Sequence, residues 1–210
     1  MYTIEPVSHL NRGAAVAALV ESFMTDPLFK FIVPDDRQRR QWLPVVMAEN
    51  VRHGLASGNS RVVVHEQEGV VGAMSAGRYP PSVAQNVMMM VRTTLLPRPW
   101  VPSLGPLMPI FTYMKIWEQM HYKEDHCFVY VIGMHPRHQG KGQGAALMRD
   151  LLAETGAEGV PVYLETQTES NVPFYEGLGL EVTEEHAPYE SGPHTWGMIR
   201  GIPQRTSGGR

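Results

Sequence analysis

The alternation of apolar and polar residues in Tyr2-Thr3-Ile4-Glu5-Pro6 predicts a short strand. Ala15, Ala18, Leu19 and Ser22 recur with helical spacing and predict a helix capped by Ser8 and running to about Phe23. Clustered aromatics, Phe29 and Phe31, follow Thr25-Asp26-Pro27. A turn at Asp35-Asp36-Arg37 then leads into a second helix from about Arg37 to Ser57. Two runs, Arg61 to Glu66 and Val70 to Ala76, flank Glu68-Gly69 and predict an antiparallel hairpin that Gly77 to Pro81 ends. Two further helices are expected, from Ser82 to Leu96 and from Leu104 to Tyr122, broken at Pro97-Arg98-Pro99-Trp100. The remaining pattern is sharper: strand His126 to Met134, a glycine loop, helix Gly142 to Thr155, a turn at Gly156 to Gly159 and strand Val160 to Thr166. A short helix Asn171 to Leu178 and a closing hairpin, Leu180 to His186 with Thr195 to Gly201, complete it.

Composition narrows what such a chain can do. Its 210 residues suit one domain, expected over residues 1–201, with a polar tail over 202–210. A net charge of -3 with both signs dispersed forms no basic stripe, which argues against nucleic acid and membrane surfaces as partners. The single Cys127 excludes an internal disulfide framework, and no signal-like segment follows Met1, so a cytoplasmic protein is expected. No apolar run reaches the roughly 18–20 residues of a membrane span. No His, Cys and Asp cluster has ligand spacing, so no metal is expected. Monomer and homodimer both remain open.

The candidate chemistry lies in Gln139-Gly140-Lys141-Gly142-Gln143-Gly144, followed by Ala145. Alternate glycines between an apolar strand and an amphipathic helix let the backbone approach a ligand and aim several N–H groups at one point. The helix that starts there adds unpaired N–H groups and the positive end of its dipole, which suits a pyrophosphate. The Walker pattern fails, since Gly142 follows Lys141 where Ser or Thr is required. The dinucleotide fingerprint is matched formally by Gly140-x-Gly142-x-x-Ala145, with Glu165 at the end of the next strand, so an NAD(P)-binding oxidoreductase is an alternative. Against it, five residues separate Met134 from Gly140 (His135-Pro136-Arg137-His138-Gln139), and a hairpin ending replaces further βα units.

The run Gln139 to Gly144 after Met134-His135-Pro136 resembles the coenzyme A motif of the GNAT superfamily of N-acetyltransferases. Asn171-Val172-Pro173-Phe174-Tyr175 resembles its second motif, in which an Asn starts a helix that carries a Tyr. Together with Gly159 to Thr166 and Gly192-Pro193-His194-Thr195-Trp196, these stretches look most like the puromycin N-acetyltransferase branch. The resemblance covers about residues 126 to 200. It implies an α/β (α+β) single domain with a mixed, twisted sheet of six to seven strands whose central parallel pair splays apart. It also implies an enzyme that transfers an acetyl group from acetyl-CoA directly to the amine of a small molecule. A non-catalytic acyl-CoA-binding module is a second alternative.

Acyl transfer from a thioester needs a neutral amine, a stabilised oxyanion and a protonated leaving thiolate. By the resemblance, Tyr175 is the general acid; otherwise it is an aromatic packed with Phe174. The oxyanion donor is expected to be a backbone N–H on the splayed strand, at Met134 or Gly133, and Gly133 is expected to weaken that strand where it bends away. Asn171 either bonds the pantetheine arm or caps the following helix. Glu165 is the candidate base if Tyr163 and Glu165 share the cleft side; the alternative is a salt-bridged carboxylate. The cofactor-binding set is then Gly133, Met134, Gln139, Gly140, Lys141, Gly142, Gln143, Gly144, Ala145, Asn171, Phe174 and Tyr175. Trp196 and the aromatics from Phe23 to Phe31 wall the acceptor side or belong to the core. Methionines 88–90, Met108, Met114 and Met120 raise the same choice.

Overall fold

The computed structural model describes residues 1–56, 58–79, 125–187 and 192–201. The helices expected within 82–122, their methionines and the 202–210 tail lie outside the described residues. The chain opens with β1 (Tyr2–Pro6) and α1 (Arg12–Phe23). The helix starts later than the Ser8 cap predicts, because Ser8 Oγ accepts the Leu10 N–H and Asn11 Oδ1 accepts the Ser8 N–H, which turns residues 8–11 ahead of the helix. The aromatic segment forms a helix of its own, α2 (Pro27–Ile32). Asp26 caps it by accepting from Leu28 N and Phe29 N, with Pro27 in the first turn. Next come α3 (Asp36–Ala56), β2 (Ser60–His65) and β3 (Gly69–Tyr79).

β3 runs past the expected stop at Gly77, since Gly77, Arg78 and Tyr79 pair with Phe128, Cys127 and His126 of β4 (His126–Met134). The chain closes with α4 (Gln143–Glu158), β5 (Val162–Thr166), α5 (Val172–Glu176), β6 (Glu181–His186) and β7 (Thr195–Arg200). α4 buries Leu147, Met148, Leu151, Leu152 and Thr155 on one stripe and continues through Gly156. Gly159 ends it at φ 69, with its N–H on Thr155 O and Gly156 O.

The seven strands form one sheet in the order β1-β2-β3-β4-β5-β7-β6. All neighbours are antiparallel except β4 and β5. That parallel pair is held only at Cys127↔Val162 and Phe128↔Tyr163. Beyond it the strands part, as expected. A bulge assists the parting: Ser75 pairs with Val131 and Ala76 with Val129, which leaves Tyr130 as an extra residue on β4. Tyr130 lies against His53 of α3, and Val131 packs beneath α1 and α3, so two successive side chains share a face.

Helices cover both faces. On one, Leu19 of α1 and Leu43, Met47 and Val51 of α3 pack against Val62, Ala73 and Val131. On the other, Leu147, Met148 and Leu151 of α4 and Tyr175 of α5 pack against Val129, Met134, Val162 and Leu164. Phe23 and Phe29 belong to the first core, and Trp196 packs against the second. Gly133 also has a packing role. A Cβ there would lie 2.5 Å from Ser22 Oγ and 2.8 Å from Ser22 Cβ, so the glycine lets α1 lie close on the strand. Gly133→Val is expected to lower the unfolding free energy by about 1–3 kcal/mol through overpacking, measured by urea denaturation.

Candidate active site

The site forms where β4 leaves β5. After Met134 the chain makes a tight turn over Pro136–His138, and Gln139 folds back to donate from Nε2 to Met134 O at 3.1 Å. Gly140 (φ 71) and Gly142 (φ 76) take the left-handed conformation that glycine adopts without strain. Gly142 is the N-cap of α4 and has no side chain to bond the first turn, and no acidic residue stands in that turn. The N–H groups of Gln143, Gly144 and Ala145 therefore face an open end of a 16-residue helix, beside the exposed Lys141. Gly144 points toward Phe174 Cζ, 3.9 Å from where its Cβ would stand, and toward Met134 Cγ at 4.0 Å. The loop, the end of β4 and α5 thus converge.

The backbone of β4 places the two expected oxyanion donors differently. His135 N donates to Val71 O on β3 at 2.7 Å. Strand alternation turns the Gly133 N–H toward β3 as well, and turns the N–H and C=O of Met134 toward the side that β5 has left. Gln139 occupies the carbonyl on that side. Of the pair, Met134 therefore offers the open N–H.

Tyr175 is buried in the core beneath α4, with its ring 4.9 Å from that of Phe174. Its hydroxyl makes no hydrogen bond among the described residues. Burial pushes its phenol well above the usual range, and the nearby Asp26 carboxylate pushes it further the same way. Asn171 does not cap α5; its Nδ2 donates to Thr166 Oγ1 at 3.2 Å. Tyr163 and Glu165 do share a side, where the Tyr163 hydroxyl donates to Glu165 Oε1 at 3.2 Å. That side carries Phe128 and Ile199 and is opposite to the face on which Tyr175 packs with Val162 and Leu164. The structure does not bring Glu165 and Tyr175 onto one face. Cys127 is buried, with its thiol pushed up to about 12 chiefly by burial, which suits a packed strand residue and not a nucleophile.

Two residues of this region escaped the sequence reading. His138, 3% exposed, holds the turn before the glycine loop: its Nδ1 meets Tyr2 Oη at 3.0 Å and its Nε2 meets Glu68 Oε2 at 3.1 Å. That hydrogen bond, with the charges of the nearby His138, His65 and Lys141, holds the Glu68 carboxyl below its ordinary range. The second is Asp26, whose Oδ1 accepts from Leu28 N at 2.9 Å and from Phe29 N at 3.2 Å. Burial raises its carboxyl, and the two N–H groups lower it by less. The Asp-Pro pair was a legible helix start; the approach to Tyr175 was not.

A single parallel pair in an otherwise antiparallel sheet is not the doubly wound frame that a dinucleotide fingerprint requires. Among the described residues, no group of His, Cys, Asp and Glu could hold a metal ion, and no helix is long and apolar enough to cross a membrane.

Comparison with known proteins agrees with this architecture. A mycothiol acetyltransferase of Corynebacterium aurimucosum is 33% identical over 75 residues, which span 33% of this chain and 25% of that protein. The chain thus spans only about a quarter of the length of the curated relatives it matches. Among solved structures, a Corynebacterium glutamicum protein described as histone acetyltransferase HPA2 and related acetyltransferase superposes with a TM-score of 0.71. It shows 19% identity and 98% coverage of both chains. A Drosophila melanogaster polyamine N-acetyltransferase superposes with a TM-score of 0.65 at 14% identity, covering 96% of this chain and 100% of that one. These likenesses establish the fold. Residues 17–180 match the acetyltransferase (GNAT) family, most of the described chain including the glycine loop and Tyr175, and the protein belongs to that family.

Proposed function

We propose that the chain transfers an acetyl group from acetyl-CoA to the amine of a small molecule, with Tyr175 as general acid. The observation that carries this reading is the convergence of the uncapped α4 N-terminus, the open Met134 N–H and α5, which carries Tyr175, at one end of the β4–β5 split. The donor set fits coenzyme A. Its pyrophosphate meets the backbone N–H groups from Gly140 to Ala145 and the ammonium of Lys141, and its extended arm takes the strand edge that β5 leaves bare. Phe174, Gly144 and Gln143 border that path, and Gln139 keeps the Met134 peptide in place.

The co-substrate supplies an activated acyl group as a thioester. The Met134 N–H donates to the carbonyl oxygen as charge develops on it, an effect of roughly 100- to 1,000-fold in rate where such donors have been removed. Tyr175 donates its proton to the departing sulfur; the raised phenol stays protonated at neutral pH, so the donor is in place when the C–S bond breaks, and its proton is made good from the attacking amine.

A thiol-release assay with acetyl-CoA and a panel of primary amines, puromycin among them, tests the reading. Turnover with at least one amine and thermal stabilisation by CoA without stabilisation by NAD(P) are expected. CoA binding with no acceptor turned over would leave a binding module, and stabilisation by NAD(P) alone would reject the assignment. Gly142→Val is expected to weaken CoA binding by about tenfold or more, read by calorimetry. A β-branched residue resists the left-handed conformation, and its methyls would stand where a phosphate approaches.

A further inference from the structure

The amine must lose a proton before it attacks, and of Glu165 and Asp26, both on the side of the sheet away from Tyr175, Glu165 is engaged by the Tyr163 hydroxyl while Asp26 keeps one oxygen without a partner among the described residues. α1 ends against the splayed part of β4, with Ser22 and Phe23 in contact with Gly133. Asp26 follows in the next turn, its N–H donating to Phe23 O at 3.2 Å. Tyr175 reaches the same end of β4 from the opposite face, in the core that holds Met134. The two residues therefore lie near the same end of β4, on opposite faces of the sheet. Among the carboxylates described, Asp26 is the one whose charge acts on the Tyr175 phenol; Glu165 is engaged by the Tyr163 hydroxyl.

The local structure holds the Asp26 carboxylate in a fixed orientation. Oδ1 is fixed by Leu28 N and Phe29 N, which leaves Oδ2 without a hydrogen-bond partner among the described residues. No cation is paired with it there. Arg39 of α3, a buried cation, is engaged by Met24 O, Val33 O, Pro34 O and Asp36, and Lys30 stands exposed in the last turn of α2. The facing titratable group from α5 is Tyr175. An oriented, half-buried carboxylate without a counter-ion suits an incoming ammonium.

We propose that Asp26 holds the ammonium of the acceptor at the β4–β5 split and takes its proton before attack. This rests on the acyl-transfer reading above. The ammonium N–H bond breaks and its proton goes to Oδ2. The freed lone pair forms the C–N bond, the C–S bond breaks with its electron pair on sulfur, and sulfur takes the Tyr175 proton. The second amine proton restores the Tyr175 hydroxyl, and the proton on Asp26 leaves to solvent, so one proton is released per transfer. Burial raises the Asp26 carboxyl, and the carboxylate is the active form; activity therefore falls as pH drops through a limb displaced upward from the ordinary carboxylate range.

Asp26→Asn tests this, because Asn keeps an oxygen for Leu28 N and Phe29 N and is itself a good cap. The acceptors are 2-phenylethylamine, or the primary alkylamine that the wild type turns over fastest, and its β,β-difluoro analogue, which is largely neutral at pH 7. With the ionised amine, kcat/KM is expected to fall about 100-fold or more and the acidic limb to disappear, with CoA affinity unchanged. With the neutral amine the loss is expected to stay within about threefold. Equal losses with both amines would leave Asp26 only a loop cap and overturn the inference. So would an Asp26→Asn enzyme as active as the wild type on the ionised amine. A wild type from which none of the amines elicits thiol release rejects acyl transfer itself, and this inference with it.

Discussion

Tyr175→Phe is expected to lower kcat with acetyl-CoA and an amine by roughly 100- to 1,000-fold, within the range of general acid catalysis, while CoA affinity stays within about twofold. Only an oxygen is removed. The ring remains in the core beside Phe174, so the core is undisturbed. The hydroxyl makes no hydrogen bond among the described residues, so its loss strands no partner and the fold is expected to be as stable as before. That separates the outcomes: a fall in kcat without a change in unfolding or in CoA binding assigns the hydroxyl to the chemical step. Unchanged turnover would reject the general-acid role. Because burial and Asp26 both push the phenol up, no alkaline loss of activity from Tyr175 is expected near neutral pH.

Arg39→Met is expected to have the largest effect on stability, about 3–5 kcal/mol, which corresponds to a melting temperature lower by roughly 10 °C. Arg39 is 1% exposed. Its Nε donates to Met24 O at 2.9 Å, one terminal nitrogen donates to Val33 O at 2.6 Å and to Pro34 O at 3.1 Å, and the other pairs with Asp36. Methionine fills much of the volume but leaves those carbonyls without a donor. The consequence reaches function, since Arg39 ties the end of α1 to the end of α2, and Asp26 lies between them. Chemical denaturation reads the loss of stability. At temperatures where the variant is folded, a raised KM for the amine with unchanged CoA affinity is expected alongside it.

Legibility differed between the two halves of the chain for a physical reason. In β4, the glycine loop and α4, each signal is local: β-branched and aromatic residues from His126 to Met134, glycines where φ is positive, and a stripe from Leu147 to Thr155. Those elements lie close to where the pattern put them. α1 and β3 were misjudged at their ends. Asn11 competed with Ser8 for the same turn, and Gly77 stays in its strand because β4 pairs with it. α2 had its signal in Asp26-Pro27, but the aromatics obscured it.

The sequence by itself determined the glycine-loop end of the candidate site: where the glycine turn falls, which helix opens there and which tyrosine follows, because neighbouring residues specify all three. Only the tertiary structure decided the reacting end. The Tyr130 bulge and the short β4–β5 pairing set where the strands part, the β3 ladder claims the Gly133 N–H and leaves that of Met134, and the Tyr163 hydroxyl engages Glu165. Gly133 admits α1 against β4, which brings Asp26, distant in the chain, near enough for its charge to act on Tyr175. Strand register and close approach depend on all the partners at once, and no local pattern encodes them.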